Sequence, residues 1–140
     1  MTAKTIEEFL GTLQQSSVET WREHLKTNKY SAHMALDEFY KEIPEKVDTL
    51  IEDYMGVYGK LDEYKNVMTT EKTEAVDYLK NLRVFVLDSR EKLIDKNDTE
   101  LWSDIDDIVS LIDSTLYKLK ELKESSSKSL KDFLLESLDD

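Results

Sequence analysis

The residues with the clearest potential for chemistry are two histidines and two carboxylates: His24, His33, Asp48 and Glu52. Imidazole and carboxylate groups together suit Fe(II), and they also bind Zn(II) or Mn(II). Asp48 and Glu52 are four residues apart, so on a helix their carboxylates share one face and can hold one cation. The chain has no cysteine, which excludes thiolate metal sites and disulfides. These four residues are therefore the candidate metal ligands.

The distance along a helix decides which of these side chains can meet. His33 and Asp48 are fifteen residues apart, which corresponds to roughly 22 Å along a helix axis, whereas metal–ligand bonds are about 2 Å long. His33 and Asp48 of one subunit therefore cannot bind the same ion. Two subunits can join them if their second helices cross antiparallel about a two-fold axis, since every contact then occurs twice. His24 lies across a short turn from His33 and would supply the second imidazole.

The same four residues also have a purely structural interpretation. Aspartate and glutamate one turn apart are common on the solvated faces of acidic helices, and a histidine near a helix end usually serves the fold. Residue type and spacing leave both interpretations open.

Apolar residues recur at three- and four-residue spacing in four long stretches, which predicts four helices. The predicted N-caps are Thr5 for a first helix ending near Thr27, Ser31 for the second, Thr69 or Thr70 for the third, and Asp98 or Thr99 for the fourth. Pro44 lies inside the second helix, where its missing N–H predicts a kink near Tyr40 rather than a break. The apolar pattern of this helix fades within residues 56–68.

These stretches predict an all-α fold, a four-helix bundle over residues 1–124. With only 3 Gly and 1 Pro, the composition offers few places to interrupt a helix. Residues 125–140 are predicted to form a short polar break and a short C-terminal amphipathic fifth helix. The apolar positions of that helix are Leu130, Phe133, Leu134 and Leu138.

The net charge of −12 limits the classes of partner. A strongly acidic surface repels nucleic acids and anionic lipids, so we expect no DNA binding. The first residues, MTAKTIEEFLG, contain no long apolar run, so neither a signal peptide nor a membrane anchor is expected. A cytoplasmic protein is the prediction.

The run HMALDEFYKEIPEKVDTLIE, which starts at His33 and ends at Glu52, resembles the ferroxidase segment of the Dps family, the miniferritins of the ferritin-like superfamily. The runs NDTELW and IDDIVSLIDSTLYKLKEL look like the start and body of that family's last bundle helix. The resemblance implies a ferritin-like bundle with iron bound between two subunits. His24 and His33 would come from one subunit, and Asp48 and Glu52 from its two-fold partner.

The resemblance further implies ferroxidase activity, in which peroxide or dioxygen oxidises Fe(II), with storage of ferric iron inside a larger shell of subunits. Small ferritin-like proteins of this kind occur in bacteriophage genomes, which suggests a phage origin and a place in the host cytoplasm. The competing hypothesis is a non-enzymatic, all-helical phage protein that keeps the bundle and binds a host or virion protein.

Overall fold

Four helices make up most of the described chain. The computed structural model describes residues 1–122, in which the helices are α1 (Ile6–Lys26), α2 (Tyr30–Tyr58), α3 (Ala75–Leu93) and α4 (Thr99–Glu121). Residues 1–122 contain no strand. The prediction of an all-α fold with four long helices is therefore confirmed. The predicted polar break and fifth helix, residues 125–140, lie outside the described residues.

The order of the helices around the core differs from their order along the chain. α2 packs against α1 and α4, and α3 packs against α4 and α1. Tyr58, at the end of α2, donates a hydrogen bond to Asp98 beside the start of α4. Lys118, near the end of α4, pairs with Glu38 near the start of α2. α2 and α4 are therefore antiparallel, and because α3 is joined to α4 by a short turn, α2 and α3 run in the same direction.

One apolar core lies between the four helices. Phe9 of α1 and Phe85 of α3 pack with ring centroids 6.1 Å apart, and both are fully buried. Phe39 and Ile43 of α2 and Ile105 of α4 complete the same cluster. Full burial of such a side chain contributes about 1.5–3 kcal/mol. None of the helices within residues 1–122 combines the length and the apolar content that a membrane crossing needs.

The first helix begins where the sequence predicts. Thr5 is the N-cap of α1, and its hydroxyl accepts a hydrogen bond from the Glu8 N–H at 3.2 Å. This contact satisfies one of the N–H groups that the first turn of a helix leaves free. The helix ends at Lys26, one residue before the predicted end at Thr27.

The second helix runs through Pro44 without a break, as predicted, from Tyr30 to Tyr58. Proline has no N–H, so the Tyr40 carbonyl one turn earlier loses its partner within the helix. The hydroxyl of Ser17 on α1 donates to that carbonyl at 2.9 Å. A side chain of the neighbouring helix therefore replaces the hydrogen bond that Pro44 removes.

We predict that Ser17→Ala lowers the free energy of unfolding by about 1–2 kcal/mol, since it leaves the partly buried Tyr40 carbonyl without a donor. Restoring the helical N–H with Pro44→Ala should reduce this cost, so the two changes should be non-additive in a double-mutant cycle measured by urea unfolding. Thr49→Ala, which removes an exposed hydroxyl bonded within α2, is the control. Equal costs of Ser17→Ala with and without Pro44 would contradict the prediction.

Two predicted helix starts are wrong. α2 begins with Lys29 as its N-cap, not Ser31, and α3 begins with Glu74 as its N-cap, not Thr69 or Thr70. Thr70 is unavailable for capping because its N–H and hydroxyl both bind a side chain of α1. For α4 the predicted cap Asp98 is confirmed as the N-cap, although its carboxylate accepts a hydrogen bond from Tyr58 instead of capping the helix.

The connection between α2 and α3, residues 59–74, runs along α1. Three backbone N–H groups of the connection donate to α1: Lys65 to the Glu7 carbonyl at 3.1 Å, Val67 to the Thr12 hydroxyl at 3.0 Å, and Thr70 to the Glu19 carboxylate at 2.7 Å. The three acceptors follow one another along α1. The connection therefore carries the chain from one end of the bundle to the other, which makes α2 and α3 parallel.

The connection approaches α1 most closely at Gly11. A Cβ atom placed on Gly11 would lie 2.3 Å from the carbonyl oxygen and 2.4 Å from the nitrogen of Lys65. Both distances are far below van der Waals contact. Glycine is therefore the residue that lets the two backbones touch at this point.

Candidate functional site

His24 and His33 lie side by side where α1 meets α2. Their ring centroids are 3.7 Å apart, and the planes are inclined by 26°. The Nδ1 of His24 lies 2.8 Å from the His33 carbonyl oxygen, and the Nδ1 of His33 lies 3.0 Å from the His24 carbonyl oxygen. A carbonyl oxygen only accepts, so each Nδ1 carries a proton and donates it, which leaves Nε2 as the acceptor of a neutral ring. The expected proximity of the two histidines is confirmed.

The third polar group at this place is Asp37, which is not one of the four predicted ligands. Its Oδ1 lies 3.9 Å from the Nε2 of His24 and 3.0 Å from the Nζ of Lys41. The hydrogen bond from Lys41 lowers the pKa of Asp37 below its usual value, so the carboxylate is charged at neutral pH. The signal that could have found it is the spacing of four residues between His33 and Asp37, and again between Asp37 and Lys41.

Asp48 and Glu52 lie elsewhere, on the exposed outer face of α2. The helix between His33 and Asp48 is continuous, so the separation of roughly 22 Å inferred from the sequence applies within one subunit. The same outer face carries further exposed carboxylates at Glu38, Glu42 and Glu45. The predicted two-fold contact between second helices would bring these acids together, and it stays a prediction.

Of the four predicted ligands, the structure therefore brings together the two histidines only. Across residues 1–122, no group of three or more His, Cys, Asp or Glu side chains is arranged to hold a metal ion. A shared site for His24, His33, Asp48 and Glu52 would need a second subunit, and it stays a prediction.

Aromatic and apolar side chains surround the paired histidines. Tyr40 lies against His24, with ring centroids 5.1 Å apart, and against Trp21, with ring centroids 6.0 Å apart. Trp21 is 49% exposed, and Leu25, one turn further along α1, is 66% exposed. We call the surface formed by Trp21, Leu25, His33 and Tyr40, which covers the buried His24, the hairpin patch.

Beside the hairpin patch, the positive charges are exposed and their negative partners are largely buried. Three ion pairs lie there, Arg22 with Glu19, Lys26 with Glu23, and Lys41 with Asp37. In each pair the cation is about 60% exposed, at 60%, 63% and 61%, while the acid is at most 21% exposed. The carboxylates therefore lie underneath and the cations face outward, so this part of an acidic protein presents positive charge to a partner.

A second ionisable cluster lies between α2 and α4. Asp104 faces Asp53, and Asp107 and Glu100 lie on the same helix as Asp104. Burial, a hydrogen bond shared with Asp53 and the neighbouring negative charges raise the pKa of Asp104 to about 7. Its Oδ2 is buried and has no hydrogen-bond partner among the described residues. Asp104 therefore holds a proton in the folded protein at a pH where an ordinary aspartate has lost it.

We predict that Asp104→Asn stabilises the protein at pH 8 and not at pH 4. Because the folded pKa lies above the unfolded value of 3.8, the folded state binds an extra proton between these values, and stability falls as the pH rises from about 4 to 7. Asparagine does not ionise, so the variant should keep the stability that the wild type loses as the pH rises. Solvent screening limits this difference to about 1 kcal/mol. Urea unfolding across this pH range measures it, with Asp88→Asn on the exposed side of α3 as the control. Parallel pH profiles for wild type and Asp104→Asn would contradict the prediction.

Comparison with known proteins gives a family and a phage relative. Residues 24–119 match a family described as a family of unknown function (DUF5856). The chain is also 26% identical, over 113 residues, to an uncharacterized 14.6 kDa protein in the mobD-ri intergenic region of Enterobacteria phage T4. That similarity covers 81% of this chain and 86% of the phage protein. No solved structure matches the chain.

The resemblance to the Dps family is wrong. The family that matches the chain over His24, His33, Asp48 and Glu52 is DUF5856, and no ferritin-like or Dps family was detected. Iron as the metal and ferroxidase activity depended on that resemblance, so both lose their support. Since the match covers more than half of the chain, including all of α2 and α3, the chain belongs to the family of unknown function DUF5856.

Proposed function

We propose that this chain is a non-enzymatic, phage-related helical protein that acts by binding another protein through the hairpin patch. The observation that carries the proposal is the exposure of Trp21 and Leu25, two large apolar side chains one turn apart on α1. Exposed apolar groups that are contiguous and bordered by polar residues commonly mark interaction sites. The similarity to a phage T4 protein supports the phage relation.

The hairpin patch is held in place before any partner arrives. The Trp21 ring stacks on Tyr40, which also touches His24. The reciprocal hydrogen bonds of His24 and His33 fix α1 against α2 directly beneath. A partner would therefore lose little free energy to ordering these side chains, and the cost of ordering is one of the main terms that oppose association. Tryptophan and tyrosine are also the side chains most often found at the energetic centres of interfaces.

Charge indicates the chemistry of the partner. Arg22, Lys26 and Lys41 face outward around the patch, above their carboxylate partners. Apolar side chains bordered by outward-facing cations favour a protein segment that has an aromatic or leucine side chain at its centre and Asp or Glu on either side. A second copy of the patch fits less well, because an isologous contact would place these cations against each other.

The proposal is tested by selecting peptides from a displayed random library with the immobilised protein. We expect enrichment of peptides with an aromatic or leucine anchor flanked by acidic residues. Binding is then measured by Trp21 fluorescence in a Trp102→Phe background, which leaves Trp21 as the sole tryptophan. Trp21→Ser should weaken binding at least about 30-fold in a calorimetric titration, as expected for a central anchor. Val57→Ser, an exposed apolar residue at the far end of α2, should leave the affinity unchanged.

Three results would overturn the proposal. Enriched peptides could be predominantly basic, or Trp21→Ser and Val57→Ser could weaken binding equally. Alternatively, light scattering could give a dimer that Trp21→Ser and Leu25→Ser convert to a monomer, in which case the patch binds a second copy of this chain.

A further inference from the structure

A second apolar surface lies on the opposite side of the bundle, between α3 and α4. It is an open groove of about 610 Å³, lined by Lys80, Arg83, Val84, Asp113, Leu116, Tyr117, Lys120 and Glu121. Val84 and Tyr117 are 50% and 55% exposed, although both are large apolar side chains. We call this surface the α3–α4 groove.

From this groove and the sequence that follows it, we propose that residues 130–140 of the same chain dock in the α3–α4 groove. The sequence of that segment is LKDFLLESLDD. Its residues Leu130, Phe133, Leu134 and Leu138 have the spacing of one helical face. Val84 and Tyr117 supply an apolar surface of matching kind, and Leu116 forms the buried floor between them.

Charge supports this occupant. The groove carries three cations, Lys80, Arg83 and Lys120. Arg83 is paired with Asp113 at 2.6 Å, and Lys80 and Lys120 then outnumber Glu121, the remaining acid of the lining. The segment has four acids, Asp132, Glu136, Asp139 and Asp140, against one cation, Lys131. An isologous contact between two copies of the groove would instead place lysines against lysines.

The length of the intervening chain also permits the contact. Lys120 and Glu121 line the groove and are directly followed by Leu122, the last described residue. The seven residues 123–129 span at most about 25 Å when extended. The part of α4 along the groove, residues 113–121, is only about 13 Å long. The chain can therefore return from the end of α4 and place Leu130 beside the groove.

Disulfide trapping tests the proposal. The chain has no native cysteine, so only the two introduced thiols can form a disulfide. The full chain is prepared with Val84→Cys and Leu134→Cys, and a matched variant carries Leu25→Cys and Leu134→Cys. Leu25 is similarly exposed but belongs to the hairpin patch. Under a mild oxidant at micromolar protein, we expect the intramolecular disulfide to form at least about tenfold faster at Val84 than at Leu25, because docking raises the effective concentration of the two thiols.

A second arm tests charge. Lys80→Glu with Lys120→Glu, added to the Val84→Cys and Leu134→Cys background, should slow the reaction to the rate of the Leu25 pair. Lys4→Glu with Lys96→Glu should not. Equal rates at Val84 and Leu25, a faster reaction at Leu25, disulfide-linked dimers as the main product, or no effect of the Lys80 and Lys120 reversals would overturn the proposal. None of these results depends on whether the hairpin patch binds a peptide.

Discussion

Gly11→Ala is expected to lower the free energy of unfolding by about 2–4 kcal/mol. The new methyl carbon would lie 2.3 Å from the Lys65 carbonyl oxygen, and the obstacle is backbone that cannot rotate away. The connection must therefore move off α1. That movement would break the hydrogen bond from the Lys65 N–H to the Glu7 carbonyl and strain the one from the Val67 N–H to Thr12.

This expected destabilisation is opposite to the effect that glycine-to-alanine substitution usually has inside a helix. In a helix interior, alanine is more favourable than glycine by roughly 1 kcal/mol. Gly56, in α2, is the matched control, since a Cβ there meets nothing within 4 Å. Gly56→Ala should therefore stabilise the protein by about 0.5–1 kcal/mol. Urea unfolding of both variants measures the contrast, and a stabilising effect of Gly11→Ala would show that the connection does not lie against α1.

The two glycines differ only in a contact with a distant part of the chain, and local sequence patterns do not predict such contacts. Thr5 and the spacing of apolar residues predict α1 to within a residue of its observed end, because capping and amphipathicity act over one or two turns. The start of α3 predicted at Thr69 or Thr70 is too early, because the observed N-cap is Glu74. Thr70 looks like a cap, but its polar groups are bound by Glu19, a residue about fifty positions earlier. No local pattern contains that contact.

In the candidate site, too, local sequence predicts one part of the geometry, and packing between helices decides the other. The proximity of His24 and His33 follows from a short turn between two helices, so the sequence predicts it. The stacking of Trp21 on Tyr40 depends on how far α1 rotates against α2, which core packing decides. The spacing of His33, Asp48 and Glu52 suggested a known ferroxidase segment. Carboxylates three or four residues apart nevertheless recur along any acidic outer helix face, as Glu38, Glu42 and Glu45 do here. That pattern therefore carries little information about ancestry.

Glu19→Ala is the second change with a large expected effect, a loss of about 3 kcal/mol of unfolding free energy. Glu19 is only 2% exposed, and one of its carboxylate oxygens accepts from both the N–H and the hydroxyl of Thr70, at 2.7 and 3.2 Å. The other accepts from the Gln15 amide at 2.8 Å. Alanine would leave the buried Thr70 N–H without an acceptor and free the second half of the connection.

The stabilisation that Glu19 contributes should depend on pH, because its carboxylate is charged. Burial by itself raises the pKa of Glu19, but hydrogen bonds from Gln15 and Thr70 and the charge of Arg22 lower it below the ordinary value of 4.5. A lowered folded pKa contributes stability above the unfolded pKa, and this contribution is lost as the pH falls through the folded value. The difference in stability between wild type and Glu19→Gln should therefore be largest near pH 7 and shrink below pH 4.5.

Hydrogen exchange separates the proposed anchoring role from general destabilisation. In Glu19→Ala, the N–H groups of Val67 and Thr70 should lose protection more than those in the core of α4, since the connection can detach from α1 while the bundle stays folded. Glu52→Ala, at an exposed position of α2, should change the unfolding free energy by less than about 0.5 kcal/mol. A uniform loss of protection across the bundle in Glu19→Ala would mean that this carboxylate stabilises the core as a whole. The connection between α2 and α3 would then have no separate anchor at Thr70.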